Sequence, residues 1–273
     1  MLRGRFSAET KTFRLARRLR YLCSRAVGNR LQNSQQTLFT TRNGKRFKRL
    51  ILRDTALAAE FERNLEAFKG SPYFPSVAIR YEHELWLEYV EGSSITTVDA
   101  ALVEKIADFY AATYRHSAQA VSIVETTVLY RLQRDLSILN QVGILPESVY
   151  RSLSTAAEKL APESVWIGFD YVDAVRKNFI VTHRDGLVCG VDADSLRKDQ
   201  LIGTGVTSAL ARWLGPFQTP FFQHLFRDGV PDFRPYLPFI ELCYFAAWTK
   251  MYFFERKKKR IDPGLFERFC ETR

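Results

Sequence analysis

Three polar side chains within residues 166–196 have the types and the spacing that phosphoryl transfer requires. Asp173 is followed five residues later by Asn178, and Asp192 comes after two further short apolar runs. One carboxylate can orient or deprotonate a hydroxyl group, while an amide oxygen and a second carboxylate can hold Mg²⁺ on nucleotide phosphates. The pattern therefore predicts that Asp173 is catalytic and that Asn178 and Asp192 are magnesium ligands.

The two apolar runs between Asn178 and Asp192 predict a β-hairpin, because the segment 183–186 that joins them ends in Asp-Gly. The hairpin would carry Asn178 and Asp192 at its two ends, so that both can reach one cation. Asp185 lies in the turn, and the residue five positions after it is Gly190 and not Asn. Asp185 is therefore predicted to have no catalytic role.

The order of Asp173, Asn178 and Asp192 resembles the catalytic loop and metal-binding Asp of the protein-kinase-like fold. The resemblance is closest to its small-molecule and glycolipid branches, the aminoglycoside phosphotransferases and the lipopolysaccharide-core kinases. It implies an α+β, two-lobed fold, with a small β-rich N-lobe containing one key helix and a larger, mainly helical C-lobe. It also implies ATP and Mg²⁺ as cofactors. The chain departs from the family at Tyr171, where a His normally supports the loop; a Tyr can pack and hydrogen-bond there.

In the fold that the chain resembles, the strand after an early hairpin carries a Lys that contacts the α- and β-phosphates. Asn43-Gly44 lies between two β-prone runs, 36–41 and 46–52, and predicts that hairpin. The resemblance then points to Lys48 as the phosphate-binding residue. The alternatives in or beside the same strand are Arg46, Arg49 and Arg53.

A helix is predicted over residues 54–69, because apolar residues recur there every three or four positions and Asp54 or Thr55 can cap it. The resemblance implies that one of its glutamates pairs with the phosphate-binding Lys. Glu62 fits this role best, and Glu66 is the alternative.

Residues 88–92, Glu-Tyr-Val-Glu-Gly, follow a predicted strand and resemble the hinge between the two lobes of kinases. The resemblance implies that backbone groups from Glu88 to Val90 bind adenine.

Composition places the chain among globular proteins with a large core, because 46% of its 273 residues are hydrophobic and 14% are aromatic. Its four cysteines have no paired spacing, which indicates reduced thiols and not a zinc site or a disulfide framework. No uncharged segment is long enough to span a bilayer. We therefore expect a cytoplasmic protein.

The net charge of +10 is concentrated near the start of the chain, where residues 3–30 hold nine Lys or Arg and one Glu. Apolar residues recur among these arginines at helical spacing, which predicts a basic amphipathic helix within residues 1–30. Such a helix could lie on the anionic inner face of a membrane or pack on the small lobe with its arginines solvated. The predicted organisation is this helix, an N-lobe over 31–91 and a C-lobe over 92–273.

These features predict an ATP-dependent kinase that phosphorylates a hydroxyl group of a sugar, a glycolipid of the lipopolysaccharide-core kind or another small acceptor. The basic surface fits an anionic acceptor. The alternative is a catalytically impaired pseudokinase or nucleotide-binding regulatory module. Two features favour it: Tyr171 in place of the His, and the absence upstream of the G-x-G-x-x-G loop that covers the phosphates in protein kinases. A nucleic-acid-binding function is disfavoured, because it would not explain the ordered set of Asp173, Asn178 and Asp192. No particular oligomeric state is predicted.

Overall fold

The computed structural model describes residues 34–41, 43–227, 229–256 and 263–270. The basic helix predicted within residues 1–30 lies outside the described residues. The predicted α+β fold is confirmed: a β-rich N-terminal part is followed by a larger part made of helices and short strands.

An antiparallel sheet of four strands forms the small N-terminal part, in the spatial order β1-β2-β4-β3. Its strands are β1 (Ser34–Thr40), β2 (Arg46–Leu52), β3 (Val77–Tyr81) and β4 (Glu84–Glu88). Gly44 lies in the turn between β1 and β2 at φ +79°, a conformation that favours glycine. The hairpin predicted from Asn43-Gly44 is therefore confirmed.

Helix α1 (Thr55–Glu66) packs against this sheet. Asp54 caps it, because its Oδ1 accepts a hydrogen bond from the Leu57 amide at 2.8 Å. Asn64 is buried on its inner face and donates from Nδ2 to the Leu196 carbonyl at 3.1 Å. The helix is thus attached directly to the larger part of the molecule.

Helices build most of the larger part. They are α2 (Ala100–Ser117), α3 (Val128–Gln141), α4 (Glu147–Leu160), α5 (Thr204–Ala209), α6 (Gln218–Leu225), α7 (Leu237–Arg256) and α8 (Glu267–Cys270). Helix α5 continues into a π-helical turn, Leu210–Leu214. In the part of the chain that the structure describes, no helix has both the length and the apolar character needed to cross a membrane.

Two three-stranded antiparallel sheets complete the fold, in the orders β10-β7-β6 and β5-β8-β9. Their strands are β5 (Gly92–Ser94), β6 (Gln119–Ser122), β7 (Ser164–Tyr171), β8 (Phe179–Thr182), β9 (Val188–Gly190) and β10 (Leu196–Leu201). Strands β8 and β9 are the hairpin predicted from Asp185-Gly186. Gly186 has φ +68°, and the Asp185 carboxylate accepts a hydrogen bond from the Leu187 amide at 3.1 Å. Asp185 therefore belongs to the turn, as predicted.

A buried aromatic cluster supports the segment between β7 and β8. The ring of Tyr171 lies 5.3 Å from that of Phe109 and 5.0 Å from that of Phe179, and all three side chains are fully buried. Their packing fixes both ends of the segment that contains Asp173 and Asn178.

Asp170, the neighbour of Tyr171, is buried at the start of helix α5. Its carboxylate accepts hydrogen bonds from the Gly205 amide at 2.9 Å and from the Tyr114 hydroxyl at 3.1 Å. Burial raises the pKa of Asp170 to about 7, because the charged form loses its hydration, and these hydrogen bonds only partly oppose the change. Position 205 must be glycine, since a Cβ there would overlap the Tyr171 carbonyl oxygen.

Candidate active site

Residues 173–178 form a tight loop that brings the three polar residues of the sequence pattern together. The Asp173 carbonyl accepts from the Asn178 side-chain amide at 2.8 Å. The same Nδ2 lies 3.3 Å from Asp192 Oδ2 and 3.2 Å from Ser195 Oγ, and Ser195 donates to Asp192 Oδ2 at 2.8 Å. Asn178 and Asp192 are therefore neighbours, and the main-chain carbonyl of Asp173 contacts the Asn178 side chain.

Asn178 and Asp192 have the chemistry of a magnesium site. Within the described residues, no donor binds Oδ1 of either side chain. Burial raises the pKa of Asp192, while Ser195 and the charge of Lys48 oppose that shift. A cation would supply the stabilisation that this partly buried carboxylate lacks.

The protein offers few ligands at this place. Across the described ranges, no group of three His, Cys, Asp or Glu side chains could hold a metal ion. Mg²⁺ commonly takes one or two protein ligands and completes its shell with water and substrate phosphates. Asn178 and Asp192 fit that arrangement, in which the nucleotide itself would supply the remaining oxygens.

Tyr171 joins the two ends of this site. Its hydroxyl donates to the Asn178 carbonyl at 2.8 Å and accepts from the Asp192 amide at 3.0 Å. Both potential metal ligands are therefore held through their backbones by one buried side chain. The expectation that a Tyr can hydrogen-bond in the place of the family's His is confirmed.

Lys48 is the basic residue of β2 that reaches this site. Its Nζ donates to the Val191 carbonyl at 2.7 Å, next to Asp192. Burial lowers the pKa of Lys48, and the charge of Asp192 opposes that shift. The three alternative arginines have other partners: Arg46 with Glu91 and the Tyr89 ring, Arg49 with Glu84, and Arg53 with Asp54.

The predicted pairing of Glu62 with Lys48 is wrong. Glu62 pairs with Arg80 of β3, and the alternative, Glu66, pairs with Lys69. The reason is the rotation of helix α1: its inner face carries Phe61 and Asn64, so Glu62 points along the sheet and not towards the site. The carboxylate whose charge acts on Lys48 in this site is that of Asp192.

Glu88 and Val90 line a cavity of about 240 Å³ between β1, β2 and the β8–β9 hairpin. Its walls also include Thr37, Leu38, Lys48, Pro75, Leu87, Tyr89, Ile180 and Val191. The amide of Val90 has no backbone acceptor among the described residues. The cavity thus combines apolar walls with an available backbone donor, and Lys48 and Val191 line it beside Asp192. This suits a planar base with phosphates directed towards Asp192.

A wide groove of about 1950 Å³ opens on the other side of Asp192. Asp173 and Lys177 line its inner end, together with Arg212. The smaller cavity and this groove meet at the consecutive residues Val191 and Asp192. A donor in the cavity and an acceptor in the groove would therefore meet beside Asp173.

Arg212 is a residue of the site that the sequence pattern did not indicate. Its Nη1 donates to Asp173 Oδ1 at 2.7 Å, and it lies on the π-helical turn after α5. Burial disfavours its charge, but Tyr244 and Asp173 raise the pKa of Arg212 above its ordinary value. Within the described residues, Oδ2 of Asp173 accepts no hydrogen bond, and 51% of the side chain is exposed.

No protein-family profile matches the sequence, and no curated protein matches it. Solved structures do match. Choline kinase LicA from Streptococcus pneumoniae has a TM-score of 0.63 at 14% identity, over 94% of this chain and 96% of that one. Macrolide 2'-phosphotransferase MphH from Brachybacterium faecium also has a TM-score of 0.63, at 10% identity, over 88% of each chain.

An ADP-bound aminoglycoside phosphotransferase, APH(2'')-Ib, has a TM-score of 0.52 at 11% identity and covers 94% of this chain and 97% of its own. These likenesses extend over almost the whole of each chain, so the fold as a whole is similar and not only one lobe. The chain has the protein-kinase-like fold of these small-molecule phosphotransferases.

Proposed function

We propose that this protein is an ATP-dependent phosphotransferase that transfers the γ-phosphate to a hydroxyl group of a sugar, a glycolipid or another small acceptor. The observation that carries the proposal is the meeting of the narrow cavity and the wide groove at Asp192, with Lys48, Asn178 and Asp173 around that point. The names of the structural neighbours, which are kinases and phosphotransferases of small molecules, support it.

In this proposal the narrow cavity binds adenine through its apolar walls and the backbone at Glu88 and Val90. Lys48 would exchange its contact with the Val191 carbonyl for the nucleotide phosphates, since Nζ already lies at the end of the cavity. Asn178 and Asp192 would hold Mg²⁺, which neutralises phosphate charge when bound.

Asp173 would orient the acceptor hydroxyl through Oδ2, the oxygen that Arg212 leaves available. Arg212 fixes the rotamer of Asp173 through the other oxygen and places a positive charge beside the reacting groups. Catalysis would thus come from positioning and charge neutralisation, which are the main contributions in phosphoryl transfer.

Thermal stabilisation by nucleotide tests the nucleotide part of the proposal. We expect ATP with Mg²⁺ to raise the melting temperature of the wild type more than ATP alone, and Asp192→Asn to remove the Mg²⁺-dependent part. Asp185→Asn is the matched control, because Asp185 lies in the hairpin turn away from the site. Equal Mg²⁺ dependence in all three proteins would contradict the assigned metal ligands.

Transfer from γ-labelled ATP to a panel of sugars, glycolipids and amino alcohols tests the catalytic part. We expect Asp173→Asn to lower the rate by at least about 100-fold, a size typical of the loss of a general base, while Mg-ATP binding persists. A wild type that binds Mg-ATP but phosphorylates nothing in the panel would instead favour the nucleotide-binding regulatory module. The contact of Arg212 with the catalytic carboxylate is the feature that would fit that alternative.

The basic segment within residues 1–30 leads to a separate proposal, that the protein binds the anionic surface on which a glycolipid acceptor is displayed. Co-sedimentation with anionic and with neutral vesicles tests it. Binding that is independent of lipid charge would contradict it.

A further inference from the structure

The wide groove extends well beyond the reacting groups. Tyr244, Trp248 and Tyr252 line it from helix α7, at intervals of four residues. Residues four apart lie on one face of a helix, and eight residues span about 12 Å at 1.5 Å per residue. Tyr244 is next to Arg212, which contacts Asp173. The aromatic face therefore begins beside the carboxylate of Asp173 and extends from there over a distance greater than the width of one sugar ring.

The outer part of this face is a pair of aromatic rings that pack on each other. Trp248 and Tyr252 are stacked, with their ring centroids 5.1 Å apart and their planes 19° from parallel, and both are partly exposed. Met251, beside them, is 42% exposed. Aromatic rings kept partly accessible in a groove are typical of ligand sites, and the C–H faces of sugar rings pack on such surfaces.

Helix α3, which packs against α7, also lines the groove and supplies charged side chains. Arg131 lines the groove and is exposed, and no carboxylate among the described residues pairs with it. Two other arginines that line the groove lie near a carboxylate: Arg134 of α3 is 3.3 Å from Asp135, which also pairs with Lys250, and Arg197 of β10 is 3.4 Å from Asp194. Arg131 is thus a cation placed in the groove without an internal counter-ion.

The two walls are joined to each other. Lys250 of α7 makes an ion pair with Asp135 of α3, and the side chain of Asp135 is almost fully buried. Two carboxylates, Glu125 and Asp199, also line the groove, and no ion pair within the described ranges involves them. Fixed walls with aromatic rings, carboxylates for hydroxyl groups and one uncompensated arginine match an oligosaccharide that carries an anionic group.

We propose that the outer half of the groove is a second binding site, which holds an anionic oligosaccharide by stacking on Trp248 and by an ion pair with Arg131. This inference rests on the proposed function in that the bound saccharide would be the acceptor of the phosphoryl group. It narrows the acceptor from any small alcohol to a saccharide longer than one ring with a phosphate or carboxylate substituent.

Direct binding tests the proposal without requiring turnover. Isothermal titration of the full chain would compare trehalose 6-phosphate, trehalose and glucose 6-phosphate. These probes are an anionic disaccharide, its neutral counterpart and a shorter anionic sugar. We expect trehalose 6-phosphate to bind at least about tenfold more tightly than trehalose, because an ion-paired hydrogen bond is worth about that factor. It should also bind more tightly than glucose 6-phosphate, which lacks the second ring.

Variants separate the two contacts. Arg131→Gln should remove the preference for trehalose 6-phosphate over trehalose, whereas Trp248→Ala should weaken both disaccharides alike. The matched controls are Tyr130→Ala on α3, where the side chain is 68% exposed and does not line the groove, and Arg151→Gln, a surface arginine paired with Glu147. The controls should bind all three sugars as the wild type does.

The outcomes distinguish this proposal from the proposed function. Failure of the wild type to bind trehalose 6-phosphate, or equal binding by Arg131→Gln, Trp248→Ala and their controls, would overturn the second site even if another acceptor is phosphorylated. Retained binding of trehalose 6-phosphate in a protein that shows no Mg-ATP binding would overturn the phosphotransferase and leave the saccharide site standing. Asp173→Asn should keep saccharide binding, since it changes only the inner end of the groove.

Discussion

Replacing Tyr171 with Phe tests whether one hydroxyl group holds both proposed magnesium ligands. The change removes the hydrogen bonds to the Asn178 carbonyl and from the Asp192 amide, at 2.8 and 3.0 Å, and leaves the ring in its buried aromatic cluster. Each backbone group that loses its partner costs about 1–3 kcal/mol. Asp192 is only partly buried and can regain a water contact, so we expect a total loss of about 2–4 kcal/mol.

For a chain of this size that loss corresponds to a melting temperature lower by roughly 4–16 °C. The more specific consequence concerns the metal. Because the backbones of Asn178 and Asp192 are released together, we expect the Mg²⁺-dependent part of ATP affinity to fall by about tenfold, or about 1.4 kcal/mol. Affinity for ATP without Mg²⁺ should stay unchanged. Differential scanning fluorimetry and titration calorimetry measure the two quantities.

Tyr110→Phe is the matched control. Tyr110 is fully buried beside the same cluster, and its hydroxyl donates a single hydrogen bond, at 3.2 Å, to the Tyr171 carbonyl. The Tyr110→Phe substitution should lower the free energy of unfolding by about 1 kcal/mol and leave the Mg²⁺-dependent part of ATP affinity unchanged. If both variants lower stability but neither changes the Mg²⁺-dependent affinity, Tyr171 is a packing residue and the reasoning is refuted.

Three further predictions follow from contacts described above. Glu62→Gln should leave Mg-ATP affinity unchanged in titration calorimetry and lower the free energy of unfolding by at most about 1 kcal/mol, because the ion pair of Glu62 with Arg80 is partly exposed. A large loss of Mg-ATP affinity would instead support a functional Lys48–Glu62 pair. Gly205→Ala should lower stability by about 1–3 kcal/mol or prevent folding, because its Cβ overlaps backbone, and wild-type stability would contradict the position of helix α5. Asp170 has a pKa of about 7 in the folded chain and near 4 in the unfolded chain, so the folded chain binds the proton more tightly. The stability of the wild type should therefore fall as pH rises from about 4 to 7, by at most about 1.4 kcal/mol per pH unit. Denaturant unfolding of Asp170→Asn should lack this slope, and parallel stability curves for the two proteins would contradict the prediction.

The features predicted successfully from the sequence depend on neighbours along the chain. The Asp185-Gly186 turn and the Asp54 cap each rest on residues within a few positions, so local chemistry determines them. The closeness of Asn178 and Asp192 follows from the hairpin between them. Such features need no knowledge of how distant segments pack.

The missed or wrong features depend on packing between distant segments. Arg212 is 39 residues from Asp173, and nothing in that spacing indicates a contact. The signal available was an arginine within an otherwise apolar turn, LARWL. The error at Glu62 came from the rotation of helix α1, which the apolar pattern fixes only to within about one residue, or 100° around the axis.

The attachment of helix α1 has a consequence for control. In protein kinases, an ion pair between a helix of the small lobe and the phosphate-binding lysine must form for activity, so displacement of that helix acts as a switch. Here a neutral amide, Asn64, holds the helix to a backbone carbonyl of the other lobe. Lys48 donates instead to the carbonyl of Val191, next to the proposed metal ligand Asp192. A phosphotransferase arranged in this way would hold the helix without an ion pair to its lysine, so its output would follow the supply of donor and acceptor rather than a signal that moves the helix.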